Sequence, residues 1–364
     1  MKKLLFIILS ISIITASCNN EENKIEKNEK NEKKAKNVIL LIGDGMSVTH
    51  LYAAMTVSET PLNIESFKYT GLQKTFSASD YITDSGASGT AIATGKKTKN
   101  GHIGCDSLGN HFKSILKYAE DAGLATGLVS TSSILHATPA AFIANNKDRN
   151  KYQEIALDFL KTDIEVFIGG GKKDFEDRED GLNLIDSLIN KKYQVTTNID
   201  EVDLSNYQKF AVFTAEKHNP EYLNGRGDML PNATEKAIEV LNQNEKGFFM
   251  MVEGSQIDWG GHDNDIDYII AEMLDFDRAV GKALEFAKKD GETLVIVTSD
   301  HETGGLTITG GDINKRAIDV NFSSEYHTAD MVPVFAYGPE AENFIGIYDN
   351  TDIFYKTMES LGLK

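Results

Sequence analysis

The run Val38-Ile39-Leu40-Leu41-Ile42-Gly43-Asp44-Gly45 decides the fold class of this chain. It is continuously apolar, without the alternation of a half-exposed strand, and stops on glycines around an aspartate. Such a run fits a strand covered on both faces, as in a parallel sheet. The same pattern recurs three times. Ala125 to Val129 stops at Ser130-Thr131-Ser132, Phe248 to Val252 at Glu253-Gly254, and Thr293 to Val297 at Ser299-Asp300-His301. Helical periodicity lies between them, over Ser114 to Ala122, Ala233 to Asn242 and Tyr268 to Lys288. Strands alternating with helices predict an α/β fold, a mostly parallel central sheet with helices on both faces.

Ligands of such sheets bind beyond the carboxyl ends of the strands. Asp44, Glu253 and Asp300 fall there. Any one of them alone reads equally well as a turn residue or helix cap. Three in one sheet must converge, which points to a metal site. In Glu253-Gly-Ser-Gln-Ile-Asp258-Trp259-Gly-Gly-His262, the spacing of Asp258 and His262 places both on one face of a helical turn. Asp300-His301 adds a carboxylate–imidazole pair, and His327 precedes another apolar strand, Val332 to Tyr337. Asp258, His262 and His327 can form one zinc site, and Asp44, Asp300 and His301 a second. Nitrogen and oxygen ligands without sulfur suit chemistry on hard oxygen substrates.

Thr83-Asp84-Ser85-Gly-Ala-Ser-Gly-Thr-Ala91 reads as the start of a tightly packed helix. Ser85 there would project from a helix N-terminus, where free N–H groups favour an anion. The alternative is that Asp84 or Ser85 only caps the helix. Lys147-Asp-Arg149-Asn-Lys151 reads, by itself, as a solvated charge run. His50, His102, His111 and His218 have no ligand-like spacing and are taken as surface or structural. The stretch 164–232 is read as an insertion covering one side of the sheet. Its Gly169-Gly170-Gly171 lacks the Lys-Ser/Thr ending of a phosphate-binding loop.

Taken together, Gly43-Asp44-Gly45, Asp84-Ser85-Gly-Ala-Ser, His136-Ala-Thr138-Pro, Glu253-Gly-Ser-Gln-Ile-Asp258 with His262, Asp300-His301-Glu-Thr-Gly-Gly and His327-Thr resemble the alkaline phosphatase family. They run in that family's order from about Asn37 to the last residue. The resemblance implies an alkaline-phosphatase-like three-layer sandwich and a broad phosphomonoesterase working through a phosphoserine on Ser85. It also implies the two zinc sites above, a third ion on Asp44, Thr138 and Glu253, and Arg149 as the group gripping the substrate phosphate. Inorganic phosphate would act as product inhibitor, and a homodimer is implied. Two positions depart from familiar members. His136 stands where some bacterial relatives have an aspartate near the magnesium; the resemblance implies magnesium in the third site, and a neutral imidazole there suits zinc as the alternative. Trp259 stands where many carry Lys or His.

Outside this region, Lys2-Lys3, the apolar run Leu4 to Ile14 and the small residues Thr15-Ala16-Ser17 before Cys18 resemble a lipoprotein export signal. Residues 1–18 are thus expected to direct export to the periplasm or cell surface, with a lipid anchor on Cys18. Residues 19–36 are almost entirely Asn, Glu and Lys and read as a disordered polar tether, leaving 37–364 as the folded domain. Only Cys105 then remains, so no internal disulfide is expected. A net charge of −18 over 364 residues argues against nucleic-acid binding. Three rivals stay open: a sulfatase, a phosphodiesterase or mutase of the same superfamily, and a non-catalytic protein capturing metal or phosphate. The absence of a Cys/Ser-x-Pro-x-Arg setting at Ser85 disfavours the first.

Overall fold

The computed structural model describes residues 34–205 and 209–364. The export signal, Cys18 and all but the last residues of the expected tether lie outside the described residues. The fold starts slightly earlier than expected. Ala35 is buried, and its N–H donates to the Ser360 carbonyl at 2.9 Å, so Lys34 to Lys36 already belong to the domain.

The strands in chain order are β1 (Asn37–Gly43), β2 (Tyr69–Lys74), β3 (Ala125–Ser133), β4 (Val166–Gly170), β5 (Tyr193–Thr196), β6 (Lys209–Ala215), β7 (Phe248–Gly254), β8 (Thr293–Thr298), β9 (Glu302–Thr303), β10 (Leu306–Asp312), β11 (Ala317–Phe322), β12 (His327–Thr328), β13 (Val332–Tyr337) and β14 (Gly346–Asp349). Ten of them form one sheet in the order β14-β2-β13-β8-β1-β7-β3-β4-β6-β5. Only β13 runs against the others, pairing antiparallel with both β2 and β8. The expected mostly parallel sheet is what forms.

The helices are α1 (Val48–Val57), α2 (Ser85–Thr94), α3 (Ile115–Ala122), α4 (Ala137–Ile143), α5 (Tyr152–Phe159), α6 (Lys172–Glu176), α7 (Leu184–Asn190), α8 (Met229–Leu241), α9 (Gln256–His262), α10 (Ile266–Asp290) and α11 (Thr351–Ser360). Strand pleating divides the apolar run of β1 between two cores. Val38, Leu40 and Ile42 pack with residues of α2 to α7 and α11. Ile39 and Leu41 pack with α1, α8, α9 and α10 on the other face. That is why the run has to be apolar throughout: each successive side chain enters a different buried layer. Among the described residues, no helix is long and apolar enough to cross a membrane.

The stretch 164–232 is not an insertion lying over the sheet. It supplies β4, β6 and β5, which extend the sheet beyond β3 by parallel pairing. β4 and β5 are short and the intervening segments strongly charged, which hides the sheet pattern in the sequence. Among the described residues, Cys105 is a buried, free cysteine.

Glu165 ties the starts of β3 and β4 together, accepting the Thr126 N–H at 2.7 Å. Burial pushes its carboxyl up to about 7, against the pull of the Thr126 N–H and Lys209. A raised native pKa means that the folded state keeps a proton the unfolded state has already lost. Its stabilising contribution is therefore present below about pH 4.5 and disappears as pH rises to about 7. Glu165→Gln keeps an acceptor for Thr126 and cannot ionise. Denaturant titrations of both proteins from pH 4 to 8 should show the variant gaining stability relative to wild type up to about pH 7, then a constant difference.

Candidate metal and catalytic site

The parallel registers assemble the site. Ile42 of β1 sits beside Glu253 of β7 and Thr298 of β8, and Ser130 of β3 beside Glu253. Each strand ends at the same edge, so Asp44, Glu253, Asp300 and His301 emerge in a row. Asp44, Glu253, Asp300 and His301 are all fully buried. Gly45 makes this closeness possible. It adopts φ +79°, and a Cβ there would stand 2.7 Å from Asp258 Cα.

Three groups of ligand atoms come together, the atoms within each lying within 4.8 Å of one another: Asp258, His262 and His327; Asp44, Asp258 and His301; and Asp44, His136 and Glu253. In the first, His262 Nε2 and His327 Nε2 each lie 3.4 Å from Asp258 Oδ1. Both rings are held from behind, His262 Nδ1–H donating to the Glu325 carbonyl at 2.7 Å and His327 Nδ1–H to that of Thr83 at 2.8 Å. This leaves each Nε2 as the free ligand. In the second, His301 Nε2 lies 3.5 Å from Asp44 Oδ1 and 3.2 Å from Asp300 Oδ2. Asp258 thus borders both groups, whereas the sequence had assigned it to one. In the third, Thr138 Oγ1 donates to Asp44 Oδ2 at 3.4 Å, and the hydroxyls of Ser130 and Ser255 donate to Glu253 Oε2 at 2.6 Å.

The electrostatics of these groups call for cations. Burial, with Asp300, Asp258 and Glu253 nearby, holds the Asp44 carboxyl well above its ordinary range. Burial and Asp258 push Asp300 up to about 7, and burial raises Glu253. Asp258 is the exception: burial raises it, but the hydrogen bond and charge of His327, with His301 and His262, hold it low. Burial keeps His301 neutral, well below its usual range. Asp44 Oδ1, Asp300 Oδ2, Glu253 Oε1 and His136 Nδ1 are buried with no hydrogen-bond partner. Orphaned anionic oxygens beside neutral imidazoles fit divalent cations and little else.

Ser85 is the first residue of α2 and is nearly fully buried, its Oγ 3.2 Å from His301 Nε2. Asp84 caps the helix by accepting the Ala87 N–H at 2.9 Å. Its other oxygen accepts from Arg149 Nη1 at 3.0 Å and Gly101 N at 2.9 Å. Arg149 is therefore not a solvated charge. Burial alone would lower its pKa, but Asp84 outweighs that and keeps the guanidinium firmly charged. Its Nη2 faces His136 Nε2 at 3.3 Å. Every site residue named from the sequence lies in this one region, at the carboxyl edge of β8, β1, β7 and β3.

Sequence reasoning missed two contributors. Thr303 Oγ1 donates to Asp258 Oδ1 and stands 3.2 Å from His301 Nδ1, bridging ligands of two groups. His218, set aside as structural, packs edge-on against Trp259 (ring centroids 5.0 Å) and His136 (6.0 Å). His50 is structural as expected, its Nδ1 accepting the Ser47 N–H at the start of α1.

A sheet-edge row of metal ligands beside a buried serine and a fixed arginine defines a metal-binding hydrolase. The family model described as "Alkaline phosphatase" matches residues 35–318 and 311–363, and the chain belongs to the alkaline phosphatase family. Alkaline phosphatase 4 of Bacillus subtilis (strain 168) is 35% identical, the alignment covering 99% of this chain and 98% of the relative. Alkaline phosphatase of Escherichia coli (strain K12) is 34% identical over 91% of this chain and 87% of its own. The alkaline phosphatase of the Antarctic bacterium TAB5 superposes with a TM-score of 0.86 at 41% identity, over 91% of this chain and 99% of that one. A variant of that enzyme, solved with magnesium bound in its M3 site, superposes with the same TM-score at 40% identity. Family and fold agree with the sequence-based expectation.

The bridging hydroxyl of Thr303 gives the site prediction. Thr303→Val keeps the shape and removes the link between Asp258 and His301. Loss of such an outer partner typically weakens metal binding about 10- to 100-fold. Equilibrium dialysis against a graded chelator series should show the variant releasing its divalent ions at correspondingly weaker chelation, with its circular dichroism spectrum unchanged.

Proposed function

We propose that this chain hydrolyses phosphate monoesters to an alcohol and inorganic phosphate, with Ser85 as nucleophile and a phosphoserine intermediate. Zinc would occupy two sites, one on Asp258, His262 and His327, the other on Asp44, Asp300 and His301. A third ion, magnesium or alternatively zinc, would be held by Asp44, Thr138 and Glu253 with His136 beside it. Divalent ions there supply positive charge for the phosphoryl oxygens and acidify hydroxyls next to them. The observation that carries this reading is Ser85 Oγ, 3.2 Å from His301 Nε2 at the N-terminus of α2, with Arg149 fixed alongside by Asp84.

The chain's own groups then divide the work. Arg149 takes two non-bridging oxygens in its planar fork. Asp84 stops the guanidinium from turning away, and free N–H groups of the first turn of α2 face the same anion. Ser85 Oγ bonds to phosphorus as the ester P–O bond breaks, and the hydroxyl proton of Ser85 leaves with the alcohol. Water then attacks phosphorus, the Ser85 P–O bond breaks, and one proton of that water passes to Oγ. No group in this set contacts a leaving alcohol, so a broad range of monoesters is expected, with phosphate as product inhibitor. The composition of residues 1–18 supports an exported enzyme, periplasmic or on the cell surface and lipid-anchored through Cys18. We further read it as a homodimer, on family grounds.

Ser85→Ala should cut aryl phosphate hydrolysis on the order of 10³-fold or more, while zinc and magnesium content by mass spectrometry stays at the wild-type level. Undiminished turnover would sink the nucleophile assignment. Faster hydrolysis of an aryl phosphodiester or aryl sulfate than of the monoester would overturn the substrate class. Chelation should abolish activity, and zinc plus magnesium together should restore it.

A further inference from the structure

The triple glycine and His218 belong together, although no spacing along the chain connects them. Gly170, at the end of β4, lies so close to the loop following β6 that a Cβ would stand 1.9 Å from the Lys217 carbonyl oxygen and 3.3 Å from His218 Cα. Only glycine lets that loop come in. Once there, the loop is fixed on two sides. The Ser133 N–H, at the end of β3, donates to His218 Nδ1 at 3.0 Å. Gln256, the first residue of α9, donates from Nε2 to the Asn219 carbonyl at 3.0 Å and to the Thr131 carbonyl at 3.1 Å.

The loop is thus tied to β3, which leads into His136 and Thr138, and to α9, which directly follows β7 and its Glu253, so both ties lie next to ligands of the third group. The His218 ring stands at their junction, nearly perpendicular to Trp259 (89°) and to His136 (85°). Trp259 also meets His136 edge-on, with centroids 6.2 Å apart. Three rings from three elements therefore brace one another edge to face. His136 needs such bracing. Its Nε2 faces Arg149 and its Nδ1 has no partner, so hydrogen bonds alone leave its ring free to tilt.

We propose that His218 is a positioning residue: it clamps Trp259 and His136 from the β6–α8 loop and so sets how tightly the third group holds its ion. His218 is in none of the three groups of ligand atoms. The inference rests on the reading of that group as a metal site only for its affinity arm.

Trp259 is the only tryptophan in the chain, so its fluorescence reports this junction alone. In metal-free protein, His218→Ala should make Trp259 markedly more accessible to acrylamide quenching. In zinc-loaded protein, it should weaken magnesium binding, read by calorimetry, about 10- to 100-fold. His218→Asn keeps an acceptor for Ser133 but lacks the ring and should behave like the alanine variant. His218→Phe restores the ring and should recover most of the affinity and the shielding of Trp259. Quenching and magnesium affinity both unchanged in His218→Ala would overturn the clamp, as would rescue by Asn rather than Phe. A wild-type protein that takes up no third ion would count against the reading of that group, while the quenching arm would still decide the clamp.

Discussion

Asp44, Glu253, Asp258 and Asp300 are buried carboxylates gathered at one edge of a sheet, and their mutual repulsion is the constraint around which the rest is arranged. In water, these groups would separate. Here the parallel register fixes them: Asp44 and Asp300 follow β1 and β8, Glu253 lies at the end of β7 and Asp258 in α9 just beyond it, and these strands are packed between two apolar cores. The folding energy of those cores holds the carboxylates together, and protons or bound metal cations relieve their repulsion. The one nearby guanidinium, Arg149, is engaged by Asp84 and leaves that role to metal ions.

Sharing of ligands follows from the same crowding. Asp44 stands in two of the three groups, and so does Asp258. An ion bound in one group withdraws charge from a carboxylate that also serves another. The three positions cannot be independent, and the Thr303 hydroxyl reinforces this by joining Asp258 to His301. On the proposed function, the three groups would therefore act as one unit, as in-line displacement between two cations requires.

How much of this was legible in the sequence depended on distance along the chain. The strand-end carboxylates could be read because a buried parallel strand leaves a local trace, an apolar run that stops at a polar turn. Asp258 and His262 could be read because one turn of α9 sets their separation. The pairing of Asp84 with Arg149 could not: it spans 65 positions and depends on packing that no period encodes. Arg149 was assigned only through family resemblance. The stretch 164–232 was misread because β5 has four residues and β4 five, too short for an apolar run to stand out between charged helices.

Asp84 shows why a capping residue and a catalytic neighbour need not be competing interpretations. One carboxylate oxygen satisfies the Ala87 N–H and fixes where α2 begins, which sets the position of Ser85. The other binds Arg149 and Gly101, which sets the guanidinium relative to the same serine. Had the cap been a serine or asparagine, the helix would still start there. It would lack the charge that holds an arginine beside a row of metal ligands. The choice of aspartate at this cap thus serves both the helix and the proposed phosphate cradle, and it couples the proposed nucleophile and its anion-binding partner through a single side chain.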